Sequence, residues 1–310
     1  MQISILLAQQ IAQLFLILIM GYAVVKAGLL KASDSRVLSV VMVYLVTPCV
    51  IINAFQIDDT PEIRKGLLYS MAIAAAIHVV LLVLSALLSR PLKLDAVEQV
   101  NVIYSNAAAL VIPLVKALMG DAYVIYSCAF IIVQLVLLWT HASSLLQGSS
   151  ALDWKKVLTN INMIAIAAGA LLYWFRVVLP APLQNTMSTV GNMMGPMGML
   201  LAGMAIAEKP LREVFCTRRN YLPTVLRLVV CPLVVLVLLW VCHASSWVAD
   251  GKNILMTVYL AAITPACATV TSMAQLYDRD AAHSSALYVL TTLLSIVSMP
   301  VMIGLFNLLL

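Results

Sequence analysis

Short charge clusters cut the chain into apolar runs, each long enough to span the roughly 30 Å hydrocarbon core of a bilayer. Ten runs are counted, centred near residues 16, 46, 78, 107, 134, 167, 198, 235, 264 and 295. The longest hydrophilic stretch between them, Gln147 to Asn160, is 14 residues. A soluble catalytic or nucleic-acid-binding domain has no room in such a chain. Composition agrees, since 63% of the residues are hydrophobic and 10% charged, against roughly 45–50% and about 25% in soluble domains. The expectation is an all-α polytopic membrane protein with ten transmembrane helices.

Charge placement sets an orientation. With the N-terminus outside, the loops after spans 1, 3, 5, 7 and 9 are cytoplasmic and hold 12 of the 18 basic residues, Arg218, Arg219 and Arg279 among them, while the opposite loops hold 5. The positive-inside rule then predicts both termini outside. Met1 to Val25 carries no charge, so it lacks the basic start of a signal peptide and span 1 is expected to be retained. The six cysteines form no close pair and no histidine stands at metal-ligand spacing, so neither disulfides nor a metal site nor any other cofactor is expected. No acidic residue is assigned to the interior of a span.

Two prolines fall inside apolar runs, Pro113 in span 4 and Pro265 in span 9, each in an unusually polar stretch. Tyr104-Ser105-Asn106 leads toward the first, and Thr264 to Ser272, with Cys267, Thr269 and Thr271, surrounds the second. Proline removes a backbone donor and clashes with the preceding turn, so each helix is expected to kink or open there. In lipid the freed carbonyls need partners, which calls for a cavity.

Laying residues 1–150 over 151–310 aligns Gly21 with Gly169 and Pro48 with Pro196, both 148 apart, and Pro113 with Pro265 at 152. This reads as two five-span repeats. Five is odd, so the second repeat runs through the membrane opposite to the first. Spans 4 and 9 then aim the positive N-terminal ends of their second halves at the centre from opposite sides. Such a point suits an anion. The alternative is that both prolines merely kink buried helices.

Gly28-Leu29-Leu30, Tyr44-Leu45-Val46-Thr47-Pro48, Ser105-Asn106 with Pro113, Gly120-Asp121 followed by Tyr126 to Trp139, Pro265-Ala266, and Ser295-Ile296-Val297-Ser298-Met299-Pro300 occur in order along the spans. Together they resemble the auxin efflux carrier family over the whole chain. That family includes plant auxin exporters and bacterial malonate and malate permeases, and is related in fold to bile-acid/sodium symporters. The resemblance implies an elevator-type transporter, a 5+5 inverted repeat with broken crossing helices 4 and 9. Spans 1, 2, 6 and 7 would form a scaffold, often the dimer contact, and spans 3–5 and 8–10 the moving domain. It also implies a substrate site at Asn106, Pro113 and Pro265 with their neighbours Ser105, Thr264, Cys267, Thr269, Thr271 and Ser272, a homodimer, and residence in the cytoplasmic (inner) membrane.

Each residue also has a plainer reading. Asn106 offers a donor and an acceptor to a substrate carboxylate, or an ordinary interhelical hydrogen bond. The hydroxyls around Pro265 line a cavity or bond back to their own helix, and Gln275 is a weaker candidate for the same cavity. His78 in span 3 is a candidate to carry a coupling proton. Arg227 in span 8 either contacts substrate or a gate, or snorkels to the cytoplasmic surface. The coupling ion is H+ or Na+. Gly191 and Gly195 in span 7 suit close helix packing. The repeated His-Ala-Ser-Ser at His141 and His243 reads as coincidence.

No phosphate-binding loop and no metalloprotease or serine-hydrolase motif occurs. The favoured reading is therefore not an enzyme but a secondary transporter of small organic anions, mono- or dicarboxylates, with the lipid bilayer as its surroundings and no nucleic-acid partner. A membrane-embedded receptor or channel using the same crossing site is the alternative.

Overall fold

With no water in the bilayer to satisfy backbone groups, apolar runs must pair their N–H and C=O internally. The chain is accordingly helical. The computed structural model describes residues 2–56, 60–148, 159, 161–207, 211–248 and 250–310. Most of the hydrophilic segment after span 5, with Lys155 and Lys156, lies outside the described residues.

The helices are α1 (Gln2–Lys26), α2 (Ala32–Asn53), α3 (Pro61–Ser89), α4 (Ala96–Ile103), α5 (Ala107–Met119), α6 (Val124–Gln147), α7 (Ile161–Trp174), α8 (Ala181–Ile206), α9 (Arg218–Val241), α10 (Gly251–Ile263), α11 (Ala268–Leu276) and α12 (Ala281–Leu309). Six of them, α2, α3, α6, α8, α9 and α12, are long and apolar enough to cross a membrane, and shorter apolar helices accompany them. The chain is a multi-pass membrane protein. Three of the long helices carry a π-helical turn, at Met42–Val46 in α2, Leu138–Ala142 in α6 and Leu226–Val230 in α9. Such turns widen the helix locally and re-aim its side chains.

Small residues let helices approach closely. A side chain at Gly21 of α1 would strike the Leu200 carbonyl of α8, and one at Gly203 of α8 would strike the Leu18 carbonyl of α1. The packing expected of Gly191 runs along the same helix, with Gly191 against Val50 of α2 and Gly198 against Ala268 of α11. Around this seam, buried Leu18, Met42, Val46, Met194, Met199, Ala268 and Tyr288 form a core of their own. A larger core gathers α3 to α6 with α9 and α10.

Two expectations are corrected. The first helix break is not at Pro113, which lies inside α5, but at Tyr104–Asn106, between α4 and α5. The second is at Pro265 as expected, between α10 and α11. Asparagine and serine favour helix starts because their side chains replace lost backbone bonds. In the first half it is this pair, not the proline, that marks the opening. The corresponding residues are therefore Ser105 and Ala266, which pair as an antiparallel bridge.

The second correction concerns acidic residues. Glu98 lies within α4 and is 1% exposed. With Asp95 it closes a capping box, Asp95 accepting from the Glu98 N–H and Glu98 from the Asp95 N–H.

Eight residues precede the first break in α4 and thirteen precede the second in α10. At 1.5 Å per residue these half-helices are about 12 and about 20 Å long.

Candidate functional site

At the crossing, two extended segments run antiparallel. The Asn106 N–H donates to the Pro265 carbonyl at 2.8 Å, and the Cys267 N–H donates to the Tyr104 carbonyl at 3.1 Å. Two residues of strand thus interrupt four helices. The central backbone groups are met by side chains from flanking helices. Gln134 of α6 accepts from the Ser105 N–H and hydroxyl and donates to the Ser105 carbonyl, at 3.0, 2.7 and 2.8 Å. On the other strand, Thr291 of α12 accepts from the Ala266 N–H at 3.1 Å.

Arg227 occupies the junction behind the strands. It is 1% exposed, so it does not snorkel. Its Nε donates to the Thr264 carbonyl at 3.0 Å, Nη1 to the Val102 and Ile103 carbonyls at 3.1 Å each, and Nη2 to the Ala262 and Thr264 carbonyls at 2.5 and 2.8 Å. These carbonyls are the C-terminal ends of α4 and α10. A guanidinium has five N–H groups, and all five are engaged. One cation neutralises two converging negative helix ends.

The N-terminal ends are left different. Neither α5 nor α11 carries an acidic residue in its first turn. The first N–H groups of a helix have no partner within it. The crossing therefore presents two positive helix ends, at opposite ends of the paired strands rather than at one shared point, while its negative ends are cancelled.

The other candidate residues divide. Asn106, 3% exposed, donates from Nδ2 to the Tyr288 hydroxyl of α12 at 3.3 Å. Thr264 bonds back to the Ala261 carbonyl at 3.0 Å. Cys267 and Thr269 stand at the start of α11, both buried. Thr271 turns away toward Ser284 of α12 at 3.1 Å, and Ser272 donates to the Met42 sulfur of α2 at 3.2 Å. Gln275 lies further along α11, half-buried. Pro113 is within α5, beyond the crossing.

His78 lies beside the crossing. Its Nδ1 is 2.8 Å from the Ala74 carbonyl, which can only accept, so this nitrogen carries the proton. Nε2 is buried without a partner, and the ring lies 4.7 Å from that of Phe130. His141, set aside in the sequence as part of a chance repeat, meets the Tyr104 hydroxyl through Nδ1 at 3.0 Å. His243 is in an exposed turn.

Gln134, Thr291 and Tyr288 escaped the sequence reading. A polar residue in an otherwise apolar run was the available signal, and Gln134 carries it at the centre of span 5.

On the far side of α11, α8 closes the crossing. A Cβ at Gly198 would lie 2.7 Å from that of Ala268, the first residue of α11, and 3.5 Å from the Met42 methyl. The sequence model of a family described as membrane transport protein matches residues 6–153 and 149–303. None of the curated proteins matches the chain.

Proposed function

Because the chain belongs to that membrane transport protein family, the auxin efflux carriers, we propose that it is a secondary transporter moving small organic anions across the cytoplasmic membrane. The observation that carries this reading is electrostatic. The C-terminal ends of α4 and α10 are neutralised by Arg227, whereas α5 and α11 carry no acidic residue in their first turns. A carboxylate is the ligand such ends attract. Asn106, Cys267 and Thr269 stand beside them, with Ser105 held between.

The crossing also bears on how many charges the substrate has there. Arg227 has no N–H to spare, and the facing wall is thioether and glycine, Met42 and Gly198. In this reading one carboxylate sits at the crossing and the rest of the molecule faces the apolar wall. A second carboxylate at that wall would meet no cation.

The mechanism proposed is an elevator built on ten spans in a 5+5 inverted repeat. The scaffold is α1, α2, α7 and α8, and it forms the homodimer contact. The moving domain is α3 to α6 with α9 to α12, and both termini face outside. The antiparallel pairing of Ser105 with Ala266 supports the inversion. The methionine and glycine seam between α8 and α11 supports sliding, because methionine repacks easily.

Counterflow of labelled mono- and dicarboxylates in proteoliposomes tests the proposal. Saturable exchange, stronger for monocarboxylates, is expected. Binding without exchange would mark a receptor instead, and exchange of cations alone would remove the anion reading.

A further inference from the structure

Between α11 and α12 the chain turns through Tyr277, Asp278, Arg279 and Asp280, and three of the four are tied within the proposed moving domain. The Tyr277 hydroxyl meets that of Ser143 of α6 at 2.8 Å, the Arg279 Nε donates to the Leu146 carbonyl of α6 at 2.5 Å, and Asp280 accepts from the His283 N–H at 2.7 Å, capping α12. Asp278 is different. Its backbone is left-handed, with φ of 52°, and its carboxylate reaches Arg36 of α2 at 2.9 Å. The turn thus travels with α6 and α12, while the Asp278 side chain holds a helix of the proposed scaffold.

Other contacts cross the same boundary but are of another kind. The Ser285 hydroxyl of α12 donates to the Ala202 carbonyl of α8 at 2.6 Å, and Ser272 of α11 to the Met42 sulfur of α2 at 3.2 Å. Both are buried and neutral, out of reach of salt. Arg36 and Asp278 are charged, and their side chains are 52% and 77% exposed, so dissolved ions screen them. Two further ion pairs among the described residues, of Glu98 with Arg219 and with His283, lie inside the moving domain. An exposed pair adds little to folding, because water competes for it and two side chains must be ordered. Two positions of one folded domain, however, are close in energy, and a contact present in only one of them shifts the balance by its whole worth.

We propose that Arg36 and Asp278 form a latch that holds the moving domain against the scaffold in the position seen here. The latch rests on the transporter reading and on its division into scaffold and moving domain. When α11 and α12 slide along α2 and α8, Asp278 goes with them and Arg36 stays, so the pair must part once in every cycle. Parting frees the start of α11. There Cys267, 6% exposed, precedes Ala268, the residue that faces Gly198 of α8.

Native Cys267 serves as the reporter. The purified, substrate-free protein is treated with a maleimide and the modified Cys267 peptide is quantified by mass, which separates it from the exposed Cys216 and Cys242. Arg36→Ala and Asp278→Asn, the latter suited to a left-handed backbone, should each label about 1.5- to 5-fold faster than the unaltered chain, the range an exposed pair supports, with melting temperatures unchanged. About 0.5 M NaCl should accelerate labelling of the unaltered chain and not of Arg36→Ala. The reversed pair, Arg36→Asp with Asp278→Arg, should label more slowly than either reversal alone. Labelling unmoved by the single changes, a salt response that survives Arg36→Ala, or a reversed pair no slower than its single reversals overturns the latch. Carboxylate counterflow by the unaltered protein tests the transporter reading separately. If it occurs while labelling ignores the pair, only the latch falls. If labelling follows the pair with no counterflow, the latched motion stands and the transporter reading falls.

Discussion

Gln134 holds both backbone groups of Ser105, its Oε1 accepting the Ser105 N–H at 3.0 Å and its Nε2 donating to the Ser105 carbonyl at 2.8 Å. Ser105 is 1% exposed, so replacing Gln134 by leucine strands an amide and a carbonyl away from water. Each buried group left unmet costs about 1–3 kcal/mol. Gln134→Leu should therefore lower stability by roughly 2–6 kcal/mol. Thr291→Val removes one acceptor, that of the Ala266 N–H, and should cost about half as much. Thermal unfolding of the two variants in one detergent gives the ranking, and equal losses would show that the Gln134 clamp carries no special weight.

Arg227 is predicted to act on the fold before it acts on transport. Its five N–H groups serve the Val102, Ile103, Ala262 and Thr264 carbonyls, at roughly 1.5–3 kcal/mol per charge-assisted bond. Arg227→Met should abolish recovery of monodisperse protein. Arg227→Lys supplies three donors on one nitrogen, which cannot span four carbonyls, and should give a folded but less stable protein. A substrate contact predicts the opposite pattern, namely normal stability with lost exchange. Yield and melting temperature measured beside counterflow distinguish them.

Helical character and membrane class were plain in the sequence because hydrocarbon leaves a spanning chain few alternatives. The neighbourhood of the crossing was legible too, since Ser105, Asn106 and Pro265 break the local apolar pattern. Where the first break falls was not. Pro113 advertises a missing donor, but a helix can carry that loss, whereas an opened strand needs partners. Those partners, Gln134, Thr291 and Arg227, come from helices distant in sequence, and no local pattern reveals such an encounter. Glu98 was overlooked for a related reason. Its burial depends on Arg219 arriving from α9, and charge counting along the chain treats it as a loop residue.

Gly198 and Gly203 lie on one helix, yet substitutions at them should behave differently. Gly203 faces the α1 backbone, where a Cβ would meet the Leu18 carbonyl and, at 2.9 Å, the Tyr22 nitrogen. Backbone cannot step aside cheaply, so Gly203→Ala should destabilise by about 1–3 kcal/mol. Gly198 faces Ala268 across the seam that the proposed elevator slides along. Gly198→Ala should leave α1 and α8 packed and disfavour this one position of α11, changing the counterflow rate more than the melting temperature. Equal melting losses in the two variants would count against a sliding seam.

At the start of α10, outside the spans, the Tyr123 hydroxyl donates to Asp250 at 2.6 Å, and Asp250 also accepts from Asn253 at 2.5 Å. Asp250 keeps a left-handed backbone with φ of 59°, which a non-glycine residue adopts at some cost. Ionising Tyr123 would set a phenolate against a carboxylate, and the hydrogen bond to Asp250 is the first cause holding its pKa above the usual tyrosine value. The folded state therefore binds this proton more tightly than the unfolded state. Its contribution to stability is present below the unfolded tyrosine pKa of about 10 and is lost as pH rises through the folded value. Tyrosinate absorbance, differenced against Tyr123→Phe, should show Tyr123 titrating later than a free phenol. Asp250→Asn should return it toward the ordinary value and remove the alkaline loss of stability assigned to this pair. A Tyr123 titration unmoved by Asp250→Asn would mean that the contact does not persist in solution.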